Sequence, residues 1–499
     1  MRAIVRESSN QPIMSSNSSA KFNVHDRRAL CFLALAAQLW IACSDASSPS
    51  SGDQPASAGA AGSAEEGGNG GHEIGPDGTA GQKSVDPTAG RPSSGGQAGA
   101  IEPEQAGGAA GLDEAGGAGG TGGTGGTGEV ESAGASGSTP NFVPAPHAAF
   151  PLVVRHGGPL IKNIELVPVY FGKDPLFDEL ERFNTWIVGS QYWKQVGAEY
   201  GVEPGTRLPP VQFEPVAAAS ISDTEIASWL SARVADGSLP KPSANTVFAL
   251  FYQAATTITS GTATSCVEFG ALHESVSVAN PVFTGDIAFA IIPRCSYSAG
   301  DELMIATDVA SHEYMEAATC PLPLSRATWF MENASGPLEA WWMLGGPEVA
   351  DLCLNQSYDM IDGFAVNDIW SNVAAQAGNN PCQPSDPQHP FFSVSADETI
   401  YHAQPGATLT IHALAWSNKP APNWELGVNW GLVPDSDFDG QATLSQTLVN
   451  NGDEVTATVT VPAHPPMVNG RSLYRFTIDS IDPINPNFSH PWPFLVIVP

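Results

Sequence analysis

Residues 301–321 read DELMIATDVASHEYMEAATCP. The apolar positions Leu303, Ile305, Val309, Ala310, Met315 and Ala317 predict a helix buried over most of its surface and closed by Pro321. On that helix His312 and Glu316 stand four residues apart and share a face. Glu313 is turned about 100° from His312, towards the flank of that face, and Asp308 extends the stripe one turn earlier. A zinc hydrolase requires this arrangement: two ligands from one rigid helix, and a neighbouring carboxylate to take a proton from the attacking water. The familiar form is HExxH; here the second ligand is Glu316. The plainer reading is an exposed polar helix face with no metal. Against it stands the cost of burying carboxylates that are neither paired nor metal-bound.

A third ligand must come from elsewhere. The segment GGPEVADLC (345–353) offers Glu348 and Asp351, one as a ligand and the other as a carboxylate that orients His312. His273 lies seven residues after Cys266, so a disulfide would fix it near the site. It reads as a transition-state donor, an alternative metal ligand or a structural histidine. The candidate metal set is thus His312, Glu316, Glu348 and Asp351, with Glu313 and His273 as the catalytic pair. Zinc is the expected cofactor. One neutral imidazole and two carboxylates formally cancel its charge, which leaves a slower hydrolytic site, another divalent metal or a structural ion as further readings. No GxSxG elbow or P-loop is present.

Around this helix the chain reads as an α/β (α+β) domain over residues 141–388. LIKNIELVPVYFG (160–172), NTVFALFYQ (245–253) and GDIAFAIIPRC (285–295) read as strands; 175–202 and Ile221–Val234 read as helices, the latter capped by Ser222 or Asp223. From 389 to 499 short alternating runs such as ATLTIHALAWS (407–417) and EVTATVTVP (454–462) lie between Pro, Asn, Gly and Asp clusters. They predict an all-β, immunoglobulin-like sandwich serving as an accessory domain. Upstream, residues 44–140 hold 28 of the chain's 51 glycines, so little there can offset chain entropy, and a disordered tether is expected. Residues 1–43 read as a lipoprotein-type signal peptide: Arg27 and Arg28 precede the apolar run 29–43, which ends at Ala42–Cys43, and Cys43 is the lipidation site. An ordinary signal peptide with an incidental cysteine is the rival. An exported, cell-envelope lipoprotein follows, at the outer membrane or cell surface and held to the membrane through the lipid on Cys43.

Export favours disulfides among the five remaining cysteines. The pairing Cys266–Cys295 with Cys353–Cys382 leaves Cys320 free; Cys320–Cys353 is the rival. The formal net charge is −32, and the 37 acidic residues of 141–499 face 13 basic ones. Such a chain has no large basic face for phosphates, which argues against nucleic acid as a partner.

The segments GGPLIKNIELVPVYFG, SQYWKQVGAEYGV, Cys266 with His273, IIPRC, SHEYMEAATCP, PEVADLC and IWSN occur in this order over roughly residues 150–385. Together they resemble the bacterial secreted relatives of the plant EXORDIUM, or phosphate-induced, proteins. The resemblance implies a zincin-like metallopeptidase-type fold with an HExxE helix. It implies metal binding by His312 and Glu316, a base in Glu313, and a downstream acidic motif in Glu348 and Asp351. This chain departs from the family at Thr319-Cys320-Pro321, where Thr-Asp-Pro is usual. No substrate comes with the resemblance. Two functions are expected from these residues. One is a surface-anchored metal-dependent hydrolase, a zinc peptidase acting on an extracellular peptide or polymer. The other is a non-catalytic binding or adhesion protein whose metal site is structural or vestigial.

Overall fold

A computed structural model describes residues 142–332, 335–354, 358–432, 441–467, 470–485 and 488–499. The signal peptide, Cys43 and the tether expected upstream lie outside them. The first layer is a six-stranded sheet. Its order runs from Glu203–Arg207 through Asn163–Phe171, Thr246–Phe251 and Thr284–Ile292 to Leu272–Ala279, with Val211–Phe213 also paired to Asn163–Phe171. All pairings are parallel except that of Leu272–Ala279, which runs antiparallel to Thr284–Ile292 at the edge. The central strand Thr246–Phe251 is buried along its whole length, as a strand covered on both faces must be.

Alternation along these strands divides the apolar residues between two cores. Leu166, Tyr170, Val247, Ala249, Ala288 and Ala290 face one core, and Val167, Val169, Phe248, Leu250, Ile287 and Ile291 face the other. The second core is covered by the helix Asp223–Ala235 through Ile226, Leu230 and Val234. That helix begins with a capping box in which Ser222 and Glu225 satisfy each other's backbone N–H groups. The first core is covered by the site helix Glu302–Thr319, through Ala306, Ala310, Tyr314, Met315 and Ala318. The helical stretch expected over 175–202 is broken into Phe177–Ile187 and Gln191–Gly197, with Ser190 capping the second.

The C-terminal part is a β-sandwich. One sheet has the order Phe392–Ala396, Thr408–Ser417, Glu454–Thr460, Gln441–Leu444; the other has Ile400–His402, Ser489–Val498, Ser472–Ile481, Trp424–Leu432, Leu448–Val449. Its interior is continuous with the first core of the α/β part. Phe150 joins them: its ring lies 5.7–6.0 Å from those of Trp341, Trp370, Phe391, Trp416 and Trp492. The segment leading to Phe150 lies on the sandwich, with His147 stacked on Trp416 and the Ala148 N–H donating to Ser395 Oγ at 2.8 Å.

Among the described residues two disulfides are present, Cys266–Cys295 and Cys353–Cys382, and Cys320 is free and buried. They point to an extracellular or periplasmic compartment. No described helix is long and apolar enough to cross a membrane.

Candidate metal centre

The site helix presents His312, Glu313 and Glu316 to the interior, all 1–2% exposed. The helix is fixed in rotation from its other side. Tyr314 OH donates to Asn184 Oδ1 at 2.9 Å, Asn184 Nδ2 donates to Tyr170 OH at 3.0 Å, and Tyr170 OH donates to Glu181 Oε1 at 2.7 Å. His273 comes from the antiparallel edge strand, opposite Ala290, and is 1% exposed. Its neighbour Leu272 joins the far core, so the pleat turns His273 towards the site helix.

The downstream acids arrive on an irregular segment that is pinned at several backbone groups. Arg475, from the sandwich, donates to Met343 O at 2.8 Å and Leu344 O at 3.3 Å. The Met331 N–H donates to Pro347 O at 2.8 Å and the Trp370 N–H to Val349 O at 2.7 Å. Two glycines then make room for Asp351. A Cβ on Gly346, where φ is +144°, would stand 2.0 Å from Asp351 Oδ2, and one on Gly345 would stand 2.5 Å from the Asp351 carbonyl oxygen. The Cys353–Cys382 disulfide holds the end of the short helical turn Asp351–Cys353.

These elements bring all six expected residues together. His312 Nε2 lies 3.2 Å from Glu316 Oε2 and 3.6 Å from Asp351 Oδ1. His273 Nδ1 lies 3.3 Å from Glu313 Oε2 and 3.5 Å from Glu316 Oε2. Glu316 Oε1 accepts from the Ala350 and Asp351 N–H groups, each at 3.2 Å, which leaves Oε2 to face the imidazoles. Glu348 is set back: its Oε1 lies 3.6 Å from His273 Nε2, and the Cys320 thiol is close enough to affect its charge. Potential ligand atoms converge in two groups, His273–Glu313–Glu316 and His312–Glu316–Asp351. Glu348 belongs to neither.

The cluster crowds four acids against two imidazoles. Among the described residues, the ion pairs of the four acids are all to the two imidazoles. Burial works against a charged His273, but Glu348, Glu313 and Glu316 outweigh it and raise its pKa well above the usual range. Burial likewise opposes charging of His312, and Glu316 with Asp351 reverses the direction. Burial raises Glu313, lifts Glu348 well above the carboxylate range, and with Glu316 pushes Asp351 to about 7. Burial also opposes ionisation of Glu316, yet His312 and His273 overcome it and hold this carboxyl at about 2. Glu316 alone is held ionised, and the other three acids are pushed towards their neutral forms.

The geometry fits a metal ion. Two donors held by one ion at about 2.1 Å with tetrahedral angles lie about 3.4 Å apart. The four donor separations of 3.2–3.6 Å match such edges. Glu313 Oε1 and Glu348 Oε1 are buried with no hydrogen-bond partner among the described residues, the condition in which a buried acid is most costly. Buried His and Glu groups thus form a site able to hold a metal ion, whose identity the donors leave open.

Three contributors carried no functional reading from sequence: Arg475, the Gly345–Gly346 pair and the Tyr170–Asn184–Tyr314 chain. A GG immediately before an acid-bearing turn was the one available signal. No family model matches the chain, and no curated protein matches it. Among solved structures, the periplasmic chaperone SfaE is similar at 11% identity and a TM-score of 0.18, over 21% of this chain and 56% of that one. Domains 4–9 of the surface layer protein SbsC are similar at 17% identity and a TM-score of 0.17, over 22% of this chain and 14% of that one. Murine CRIg is similar at 12% identity and a TM-score of 0.14, over 22% of this chain and 96% of its own. The chain therefore spans about half the length of the chaperone it matches, and likenesses at these scores carry no argument about function.

Proposed function

We propose that the protein is a metal-dependent hydrolase of zincin-like architecture, a peptidase held at the cell envelope by a lipid on Cys43. In this reading its α/β part is related to the bacterial EXORDIUM-like proteins and the sandwich is an accessory module. The observation that carries the proposal is the convergence of His312, Glu316 and Asp351 beside a buried Glu313 whose Oε1 has no hydrogen-bond partner among the described residues. His312, Glu316 and Asp351 would hold the cation, zinc being the expected one. When bound, the ion supplies Lewis-acid polarisation of a substrate carbonyl.

The chain's own residues do the rest. Glu316 is oriented through its Oε1 by two backbone N–H groups, so it presents Oε2 without a rotamer search. Burial raises the Glu313 carboxyl and makes it a stronger base than an exposed carboxylate. Its Oε2 lies against His273 Nδ1, which leaves Oε1 to accept the proton of an attacking water. The substrate class is an extracellular peptide.

The test is cleavage of a broad peptide library by the purified protein. Cleavage lost in Glu313→Gln, with bound metal retained, supports the reading. A metal-loaded protein that cleaves nothing would overturn it in favour of a second one, a non-catalytic extracellular binding protein with a structural ion. The second reading is favoured by the depth of the site: every cluster residue is between 1% and 6% exposed.

A further inference from the structure

We propose that the cluster holds two divalent cations that share Glu316: one with His312 and Asp351, the second with His273 and Glu313. The proposal rests on the reading of the cluster as a cation site and adds an ion to it. The two ligand groups overlap only at Glu316, and neither imidazole falls within the other's group. One ion therefore does not gather all the donors. The shared atom is Glu316 Oε2, which lies 3.2 Å from His312 Nε2 and 3.5 Å from His273 Nδ1. Its other oxygen is engaged by the Ala350 and Asp351 N–H groups. A carboxylate oxygen placed between two imidazoles in this way can serve one ion on each side.

His273 is prepared as a ligand. Its Nε2 lies 3.3 Å from the Cys320 carbonyl oxygen. A carbonyl only accepts, so Nε2 carries the proton there and the Nδ1 lone pair points at Glu313 and Glu316. A backbone carbonyl behind a histidine is the usual partner of a metal-bound imidazole. Glu313 is 1% exposed, and its Oε2 faces His273 Nδ1 at 3.3 Å. Imidazole and carboxylate donors suit first-row ions such as zinc or manganese. Glu313 would bind through Oε2, the oxygen facing His273, and Oε1 would stay open as a base.

The experiment counts metal. The purified protein is stripped with a chelator, reloaded with zinc, dialysed free of loosely held ion and assayed by elemental analysis. The expected count is two zinc per chain, falling to one in His273→Asn and to one in His312→Asn. One zinc in the wild type, unchanged in His273→Asn, overturns the second site and leaves the single-ion reading standing. No zinc overturns both. Should either variant fail to fold, manganese loading of the wild type decides: a spin-coupled pair signal in electron paramagnetic resonance is expected, and an isolated Mn²⁺ signal at saturation rejects the pair.

Discussion

In the sandwich, His490 is buried against the rings of Phe391, Phe392 and Phe488, with centroids 4.5–5.7 Å away. Burial, helped by His389, holds its pKa down at about 3. In the α/β part, His273 and His312 are buried just as deeply, yet both are raised well above the usual range. Desolvation disfavours the imidazolium in all three. The sign is reversed only where carboxylates crowd the ring. Burial alone therefore does not explain the cluster around the site helix, since an apolar core keeps a histidine simply by leaving it neutral. Four acids around two histidines need compensating positive charge, which protons on the cluster or a bound cation would supply.

The comparison breaks most visibly if the cluster needs no ion. A cation present at about 1,000 times its dissociation constant stabilises the folded state by about 4 kcal/mol. Chelation should therefore lower the melting temperature of the wild type, and Glu316→Gln should abolish that response. A melting curve that chelator leaves unmoved would show that the cluster is stable as a proton-shared network. The sandwich histidine gives the next effect, with pH as the variable. Its folded pKa lies below the unfolded value, so the folded state binds fewer protons and stability is lost as pH falls from about 6.5 towards about 3. By pH 5 the loss is about 2 kcal/mol. His490→Phe should remove that part of the slope in urea titrations at pH 7 and pH 5. Equal slopes in the two proteins would mean that His490 is not the group that titrates.

The two regions also differ in how far sequence reaches them. Helical spacing alone places His312 and Glu316 on one face and Glu313 on its flank, because a helix converts sequence distance into direction. The strand Thr284–Ile292 and the alternating runs of the sandwich are legible for the same reason. The downstream acids are not. Glu348 and Asp351 ride on an irregular segment whose path is set by Arg475, Met331 and Trp370 from distant parts of the chain. Spacing left open which of them joins a ligand group; the fold puts Asp351 in one and sets Glu348 back against His273 and Cys320. The shared core around Phe150 escaped sequence as well. Its five aromatic partners come from both parts of the chain, and no local pattern pairs them.

That irregular segment allows the site to be perturbed without touching a ligand. Gly346→Ala places a methyl group on the Asp351 carboxylate. The effect should be a loss of cation affinity of about 10–100-fold, the usual range for residues that orient ligands. Arg475→Met removes the two bonds to the Met343 and Leu344 carbonyls and should act in the same direction more weakly. Calorimetric titration of zinc into the stripped variants measures both. Wild-type affinity in Gly346→Ala would mean that Asp351 is not a ligand, and the comparison would then rest on Glu316 and the histidines alone.

The smallest effect concerns Cys320, the one free cysteine among the described residues and the position where a Thr-Asp-Pro pattern would carry Asp. Its thiol is fully buried, and burial pushes its pKa up to about 11, so it is protonated at any pH the protein meets. The Thr328 N–H donates to its sulfur at 3.4 Å, and its S–H is available to Glu348. The thiol thus acts as a neutral hydrogen-bonding group behind the cluster, unlike a thiolate ligand or nucleophile. Folded protein should not react with a thiol reagent until it is denatured. Cys320→Ser keeps a donor and an acceptor in place and should cost no more than about 1 kcal/mol, with the zinc count unchanged. A serine variant that loses an ion would make Cys320 a ligand and shift the second cation towards Glu348, the one acid of the four outside both ligand groups.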